Sequence, residues 1–353
     1  MDEQETSEAP ETFPALPDLP PPRARKSRVL ALIVAVYGLS LLAVWGLLHF
    51  GGDRWWPATI MLFAPRWIYA FPWPVLAVFA AIKSPRLLWA LAGLALVIWF
   101  PIMGFQLHWG SPASGPSALR VVSFNIEGMA VDQKRLMVFL DRVKPDVVVL
   151  QEYPHPGTPG DVDLPWPADW HVVHHDEYLL ASRFPVVSWE PFHRPGARDF
   201  VGVAHTLDRN GQKLRVVNLH LMTPREGLEA ALHFKTVMSP SRTGKLIEII
   251  LLRAAESRIV SAWAWRSDLP TIVAGDFNMP CDSTIFRRDW TGSSDAFSQS
   301  GFGFGSTKIT VMHDWKYGAR IDHVLFDSNW TARRCWVGPD LGSDHLPLVA
   351  ELE

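Results

Sequence analysis

Side chains able to bind a metal ion or a phosphate follow six separate apolar runs in the last two thirds of the chain. They occur in the segments VVSFN (121–125), VVVLQE (147–152), VVNLH (216–220), IVAGDFN (272–278), RIDH (320–323) and GSDH (342–345). A single Asp after Gly or Ser is ordinarily a turn or cap residue. Six such endings on separate predicted strands instead indicate side chains that converge at one edge of a sheet, where sheet proteins bind ligands.

The residue types at these positions indicate the chemistry. They are four carboxylates, two amides and two histidines: Glu152, Asp276, Asp322, Asp344, Asn125, Asn278, His220 and His345. Oxygen donors without cysteine suit Mg²⁺ or Mn²⁺ better than Zn²⁺. The chain has no glycine-rich phosphate loop, no GxSxG motif and no HExxH motif. These absences disfavour P-loop nucleotide hydrolases, serine hydrolases and zincins.

Short strands and a few helices must position these side chains. Eight apolar runs are typical of buried or half-buried strands, at 120–125, 146–151, 178–182, 202–206, 214–219, 271–274, 321–326 and 346–351. Helices are predicted over 133–143, where Pro145 follows, and around 244–266. The pattern predicts an α/β or α+β domain without an internal repeat.

The part of the chain that precedes this domain has almost no charge. Residues 29–119 contain five ionised side chains, and Val29 to Phe50 is a run of 22 uncharged residues. At 1.5 Å per residue this run can cross a hydrocarbon core of roughly 30 Å. We expect further spans over about 67–82 and 87–107, which makes about three transmembrane helices. A cleaved signal peptide is less favoured, because more hydrophobic sequence follows at once.

The composition divides the chain into four parts. Residues 1–28 are predicted to be a disordered cytoplasmic tail, because they contain too few apolar residues to offset the entropy of ordering. Residues 29–109 are the predicted transmembrane region, 110–118 a linker rich in Gly, Ser and Pro, and 119–353 the globular domain. Lys and Arg lie before the first span and between the second and third, which predicts that both loops are cytoplasmic. Three crossings of a bacterial-type cell membrane would make the globular domain extracytoplasmic, whereas a re-entrant second segment would leave it facing inward.

The motifs of the globular domain resemble, in order, those of the endonuclease/exonuclease/phosphatase superfamily. They are SFNI, LQE, SRFP, NLHL, GDFN, RIDHVL and SDHLPL, within roughly residues 119–353. This superfamily of metal-dependent enzymes includes deoxyribonuclease-I-like nucleases, abasic-site endonucleases, neutral sphingomyelinases and inositol-polyphosphate 5-phosphatases. The resemblance implies a four-layer sandwich in which two β-sheets are flanked by helices. No functional position of the superfamily is replaced.

The resemblance implies a metal site and a phosphate contact. Glu152 resembles the primary Mg²⁺ ligand, with Asn125 beside it and Asp344 closing the site, and Mn²⁺ is the alternative ion. Arg183, in the SRFP motif, is expected to brace the site or to contact the substrate phosphate.

The resemblance also implies how water is activated. His345 resembles the general base that accepts a proton from water, and Asp322 the carboxylate that orients its imidazole. Asp276 and Asn278 resemble the pair that positions the water and contacts the phosphate. His220 resembles the histidine that stabilises charge on the phosphoryl oxygens or protonates the leaving group.

The expected function is therefore a membrane-anchored, Mg²⁺-dependent phosphoesterase, first of all a nuclease-like phosphodiesterase. The globular domain is net acidic, which disfavours long duplex nucleic acid. A basic and aromatic surface after the Asn278 loop is a candidate site for an anionic substrate, with Arg287, Arg288, Trp290, Lys308, Trp315, Lys316 and Arg320.

Two alternatives remain at this point. One is a hydrolase of lipid headgroups, similar to a sphingomyelinase or an inositol phosphatase. The other is a membrane-tethered binding module without catalysis, which is disfavoured because every metal and base position is retained. The expected partners are a phosphate-ester substrate and membrane lipids, with no obligate protein partner evident. The sequence leaves open whether Cys281 and Cys335 are bridged.

Overall fold

The computed structural model describes residues 22–112, 115, 118–155, 157–158, 162–194, 196, 198–232, 240–312 and 315–353. Of the expected disordered tail, residues 1–21 lie outside the described residues, and a helix begins at Pro22. Positions 113–114 and 116–117 of the expected linker also lie outside them.

Helices form the first part of the chain and the outer layers of the second. Those of the described residues are α1 (Pro22–Gly46), α2 (Trp56–Phe63), α3 (Pro72–Lys83), α4 (Leu87–Val97), α5 (Gln133–Val143), α6 (Arg225–Leu232), α7 (Pro240–Ala264), α8 (Thr284–Asp289) and α9 (Ala296–Ser300). Short π or 3₁₀ segments occupy Leu47–Gly51, Gly52–Arg54, Arg66–Ala70 and Ile98–Ile102. Helix α5 has the predicted bounds, because Asp132 accepts a hydrogen bond from the Arg135 amide at its start and Lys144 is left-handed at its end.

Two mixed six-stranded sheets form the core of the globular domain (residues 118–353). The strands are β1 (Gln106–Leu107), β2 (Leu119–Asn125), β3 (Val147–Gln151), β4 (His171–His175), β5 (Tyr178–Ser182), β6 (Val186–His193), β7 (Phe200–Arg209), β8 (Gln212–His220), β9 (Thr271–Asp276), β10 (Ser294–Asp295), β11 (Phe302–Gly303), β12 (Lys308–Met312), β13 (Trp315–Ala319), β14 (Asp322–Phe326), β15 (Ala332–Val337) and β16 (Leu348–Leu352). The first sheet has the order β15-β16-β2-β3-β5-β4 and the second β10-β14-β9-β8-β7-β6. Strands β2 and β3 are parallel, as are β8 and β9.

Alternating side chains of these strands build four layers. Val121 and Val216 lie in the core between the two sheets, whereas their neighbours Val122 and Val217 pack on the outer faces. Because successive strand residues point to opposite faces, an uninterrupted apolar run such as VVVL serves both cores. The predicted sandwich of two sheets flanked by helices is confirmed.

The sequence missed five strands of five or more residues: three at the edges of the six-stranded sheets, and the two of the separate β12–β13 hairpin. Each of the eight predicted strands is present, but β4, β6 and β15 were not predicted. These edge strands are largely half-buried or exposed, and β6 includes Pro191. They lack long apolar runs because one side faces solvent, and an edge position tolerates proline.

The expectation of three transmembrane spans is wrong. One helix, Arg28–Arg54 with 27 residues, has the length and composition to cross a membrane. The next segment consists of two helices, Trp56–Phe63 and Arg66–Lys83, which meet at an angle of 92°. It counts as a second span only if these two helices together form a single membrane crossing. The third apolar segment, Leu87–Ile102, is shorter. Pro65 lies at the break, where it cannot continue a helix.

The segments of residues 22–104, here called the helical region, pack on one another around a small apolar core. Leu41, Ala80 and Leu91 are buried there. The outward side chains are also apolar, and Leu39 and Trp89 are 67% and 84% exposed. A continuous exposed apolar surface of this kind marks a membrane or partner interface.

Candidate active site

The strands that carry the predicted site residues end at one edge of the two sheets. Parallel pairing brings the end of β2 beside that of β3, and the end of β8 beside that of β9. The antiparallel strand β14 starts at the same edge, where Asp322 is opposite Asp276. Gln151 joins the two sheets, donating from Nε2 to Asn218 Oδ1 at 2.6 Å. The edge is therefore held together by a buried polar contact.

Asn125 lies between two carboxylates. Its Nδ2 is 2.8 Å from Glu152 Oε1 and 3.1 Å from Asp276 Oδ2, and its Oδ1 accepts a hydrogen bond from the Glu127 amide. Glu152 has a left-handed backbone with φ of 52°, which turns its side chain away from the direction of β3. The structure thus brings together the expected ligands Glu152 and Asn125, and adds Asp276.

His345 and Asp322 form a buried couple. Nδ1 of His345 is 2.9 Å from Asp322 Oδ2, which leaves Nε2 facing Asp276 Oδ2 at 3.5 Å. The Asp322 amide bonds to the Thr307 hydroxyl. This couple has the geometry that orients an imidazole for proton transfer.

A second histidine couple faces the first across Asp276, and the sequence prediction contained only half of it. Nδ1 of His220 is 2.8 Å from Glu177 Oε1, and its Nε2 lies 3.8 Å from Asp276 Oδ2 and 3.6 Å from Glu152 Oε1. Glu177 was not predicted because it precedes strand β5, whereas the predicted site residues follow or begin apolar strands. Its position in the turn between three histidines and an apolar strand is the sequence feature that could have identified it.

Asn278 occupies a tightly determined turn after β9. Its amide donates to Asp276 Oδ1 at 2.8 Å, its Nδ2 donates to the Leu221 carbonyl at 2.9 Å, and its φ is 51°. A Cβ at Gly275 would lie 2.0 Å from the Leu219 carbonyl oxygen, so only glycine fits before Asp276. The GDFN motif thus places both a carboxylate and an amide at the edge of the sheet.

The carboxylates of the site give both histidines a high proton affinity. Burial lowers the pKa of His345, but Asp322 and Asp276 outweigh it and raise the pKa to about 9. Burial also lowers the pKa of His220, and here Glu177 and Asp276 raise it to about 9. Burial and the adjacent Asp322 raise the pKa of Asp276. The carboxylates therefore stabilise the protonated form of both imidazoles relative to a histidine in water.

Asp344 lies apart from the other expected metal ligands. Its Oδ2 contacts Lys308 Nζ and is 3.9 Å from Arg225 Nη2, and its Oδ1 is 3.7 Å from His345 Nε2. Lys308, on strand β12, is therefore a further cation at the site. Sequence reasoning had assigned it to the basic surface because its strand had not been predicted.

Among the residues that the structure describes, two groups of side chains have the donors and spacing for a metal ion. Their ligand atoms lie within 4.8 Å of one another, in Glu152, His220 and Asp276, and in Asp276, Asp322 and His345. Neither group includes Asp344. Carboxylate oxygens predominate, and the Glu152 and Asp276 oxygens converge on Asn125, so the set fits a hard divalent cation.

The structure does not bring two sets of expected substrate contacts to this edge of the sheets. Arg183 lies at the opposite end of the first sheet, where its amide bonds to Asp146 and its Nε to the Pro145 carbonyl before β3 begins. The antiparallel pairing of β5 with β3 carries it away from Glu152. The basic and aromatic surface is not one surface either, because Trp290 is buried and Arg320 is buried against Asp295.

A cavity of about 560 Å³ opens beside His220. Its lining includes Glu177, Phe200, Met222 and Leu252, so carboxylate and apolar side chains share it. Its volume lies within the range of small-molecule sites. Cys281 and Cys335 are free thiols, and Cys281 Sγ is 2.9 Å from Arg320 Nη2.

A model of the Endonuclease/Exonuclease/phosphatase family matches residues 122–345. No curated protein matches the chain significantly in sequence.

Solved structures with a similar fold cover the globular domain. A 3'-5' exonuclease, NExo, from Neisseria meningitidis has 18% identity and a TM-score of 0.49, over 67% of this chain and 100% of its own. TDP2 from D. rerio, in complex with a single-stranded DNA product, has 17% identity and a TM-score of 0.48, over 67% and 99%. An endonuclease/exonuclease/phosphatase from Beutenbergia cavernae has 21% identity and a TM-score of 0.46, over 67% and 71%.

Proposed function

The chain belongs to the endonuclease/exonuclease/phosphatase family, and on that premise we propose that it is a membrane-anchored, Mg²⁺-dependent phosphodiesterase. The observation that carries this proposal is the pair of histidine–carboxylate couples, His220–Glu177 and His345–Asp322, which face each other across Asp276. Hydrolysis of a phosphate ester needs a proton acceptor for water and positive charge at the phosphoryl oxygens. These two couples supply both.

One couple activates the nucleophile. Asp322 holds His345 through Nδ1, so its Nε2 is free to accept a proton from water. Asp276 and the Asn278 side chain position that water and contact the phosphate. Because neighbouring carboxylates raise the pKa of His345, its neutral form is a strong base and its protonated form is stabilised after transfer.

The other couple acts on the phosphate. Glu177 keeps His220 protonated, with Nε2 directed at the Glu152 and Asp276 carboxylates. In this position the imidazolium neutralises charge on the phosphoryl oxygens and can donate its Nε2 proton to the leaving oxygen. Lys308 adds a further cation beside His345.

A divalent ion would be held by Glu152 and Asp276, with Asn125 beside them. When bound, Mg²⁺ or Mn²⁺ supplies Lewis-acid stabilisation of charge on the phosphoryl group. Asp344 uses Oδ2 for its contact with Lys308, so Oδ1 is the oxygen through which it could join this set.

The cavity beside His220 favours a substrate with a compact group next to the scissile phosphate. Because its lining has apolar side chains and four carboxylates, against one arginine and two histidines, it is a poor match for a polyanion. This mixed lining keeps a lipid headgroup as the second candidate substrate, after a nuclease-like phosphodiester.

We place the Arg28–Arg54 helix across the membrane, with the cluster Arg23, Arg25, Lys26 and Arg28 at its N-terminal end on the cytoplasmic side. With this helix as the one complete crossing within the described residues, the globular domain is extracytoplasmic. Alkaline phosphatase fused after Glu353 should then be active and green fluorescent protein dark. The reverse result would contradict this orientation.

The function is tested on the full chain in detergent, with bis-p-nitrophenyl phosphate and Mg²⁺ or Mn²⁺. We expect hydrolysis that a chelator abolishes and that His345→Ala removes. A panel of single-stranded DNA, duplex DNA, RNA, sphingomyelin and phosphoinositides, assayed on wild type and His345→Ala, identifies the substrate class. Failure on every ester would favour a tethered binding module.

A further inference from the structure

An acidic side chain of the helical region is buried inside the globular domain. Asp53 lies in the Gly52–Arg54 turn after α1, and its side chain has 0% exposure. Its Oδ2 accepts a hydrogen bond from the Ser283 hydroxyl, and its amide donates to Thr284 Oγ1 at 3.1 Å. A buried carboxylate is costly unless it is paired and hydrogen-bonded, so this position needs a cation.

Arg253 of α7 is that cation. Its Nη1 is 3.5 Å from Asp53 Oδ1, and both atoms are buried without a hydrogen-bond partner among the described residues. The Arg253 side chain is 2% exposed. Of the carboxylates that act on Arg253, Asp53 has the largest effect, ahead of Glu256 and Asp276, so neutralising Asp53 removes the main partner of a buried charge, which is the costly way to break such a pair.

The other nitrogens of Arg253 hold the backbone of the candidate active site. Nη2 donates to the Asn278 carbonyl at 2.6 Å, and Nε donates to the Met222 carbonyl at 3.0 Å. Asn278 follows Asp276 after β9, and Met222 follows His220 after β8. One guanidinium therefore joins the two segments that position the water-binding pair and the second histidine.

We infer that Asp53 is a positioning residue for hydrolysis: it fixes Arg253, and through it the turns at Asn278 and Met222, so that the helical region completes the active site. This inference rests on the proposed function. The guanidinium fork has a fixed planar geometry, so an altered partner at Nη1 changes the direction of its other bonds. A small displacement of Asn278 is enough to lower catalysis, because positioning errors of about 1 Å can cost on the order of a hundredfold.

The structure provides a matched control. Arg66 and Asp282 form a second ion pair between the helical region and the same loop, with N–O distances of 2.7 and 2.9 Å. The other side-chain hydrogen bonds of Arg66 go to the Leu62 and Ile102 carbonyls, within the helical region. Breaking this pair therefore loosens the junction without releasing the Asn278 carbonyl.

The experiment compares Asp53→Asn with Asp282→Asn in the full chain in detergent. For Asp53→Asn we expect kcat for bis-p-nitrophenyl phosphate to fall at least tenfold with KM changed less than twofold, and hydrogen exchange of residues 276–279 to accelerate. For Asp282→Asn we expect kcat within twofold of wild type and unchanged exchange at 276–279. Equal effects of the two variants on kcat and exchange would overturn the inference, because a merely structural junction predicts them.

Two further measurements apply if Asp53→Asn does not fold or if the wild type is inactive. If Asp53→Asn does not fold, Arg253→Lys keeps the buried charge but cannot reproduce the fork, and should show the same loss of kcat and faster exchange at 276–279. Unchanged kcat and exchange in Arg253→Lys would contradict the inference. If wild type hydrolyses no ester, the proposed function fails, and exchange at 276–279 still tests whether Asp53 holds the Asn278 turn.

Discussion

In the globular domain, large apolar side chains such as Leu180 and Phe124 are fully buried, whereas in the helical region Leu39 and Trp89 point outward. The two regions also differ in the number and placement of charged side chains. The globular domain gathers carboxylates and histidines at one sheet edge, while residues 29–119 have five ionised side chains. Two of these, Asp53 and Arg66, contact the globular domain. The two regions therefore differ in where they place apolar and charged side chains, and they meet through these polar contacts and through apolar ones, such as the stacked rings of Trp67 and Trp315.

The largest expected effect tests the chemistry of the globular domain alone. Glu152→Ala or His345→Ala should lower kcat by a factor on the order of 10³, because each removes charge stabilisation or proton transfer. The measurement is steady-state hydrolysis by the full chain with Mg²⁺. His193→Ala, at an exposed position on β6, is the control and should keep normal activity. A loss in the control as large as in His345→Ala would refute the assignment.

A Leu→Ala substitution should lower the free energy of unfolding strongly in the globular domain and very little on the exposed face of the helical region. Leu180→Ala creates a cavity in the core between the sheets, and we expect the free energy of unfolding to fall by about 2–5 kcal/mol. Leu39→Ala, on the exposed face of α1, should change it by less than about 0.5 kcal/mol in detergent. Denaturant unfolding of both variants checks this difference. Equal losses would mean that the face carrying Leu39 is covered by protein.

Glu177→Gln tests the residue that sequence reasoning missed. Without this carboxylate the pKa of His220 falls, so a smaller fraction of His220 stays protonated and kcat drops by roughly tenfold to a hundredfold. The loss should grow as pH rises, since His220 deprotonates at lower pH than in wild type. The pH dependence of kcat measures it. Glu226→Gln, which lines the same cavity but pairs with Lys245, is the matched control.

A smaller effect concerns stability at low pH. His205 is fully buried with neither ring nitrogen hydrogen-bonded among the described residues, and burial lowers its pKa to about 3. The unfolded chain binds this proton near pH 6.5, so the free energy of unfolding falls as the pH drops below 6.5. Unfolding curves of wild type and His205→Phe should diverge over this range. Parallel curves would contradict the prediction.

Site residues could be predicted from the sequence where the signal lies in a short local motif. Glu152, Asp276 and His345 were identified because their motifs are local and follow apolar strands that are buried on both faces. Glu177 and Lys308 were not, since each depends on an edge strand or hairpin whose position is fixed by pairing. Arg183 was misplaced because its motif says nothing about which end of the sheet it occupies.

The ordered motifs by themselves predicted the family and, through that resemblance, the two-sheet class, while residue types and composition predicted the acidic chemistry and the apolar N-terminal helix. They did so because hydrophobic periodicity and short catalytic motifs are properties of neighbouring residues. Only the tertiary structure decided that one helix, not three, is long enough to span, that Glu177 completes the second histidine couple, and that Asp53 is buried against Arg253. These depend on contacts between residues far apart in the chain, where burial and distance determine which charges are paired.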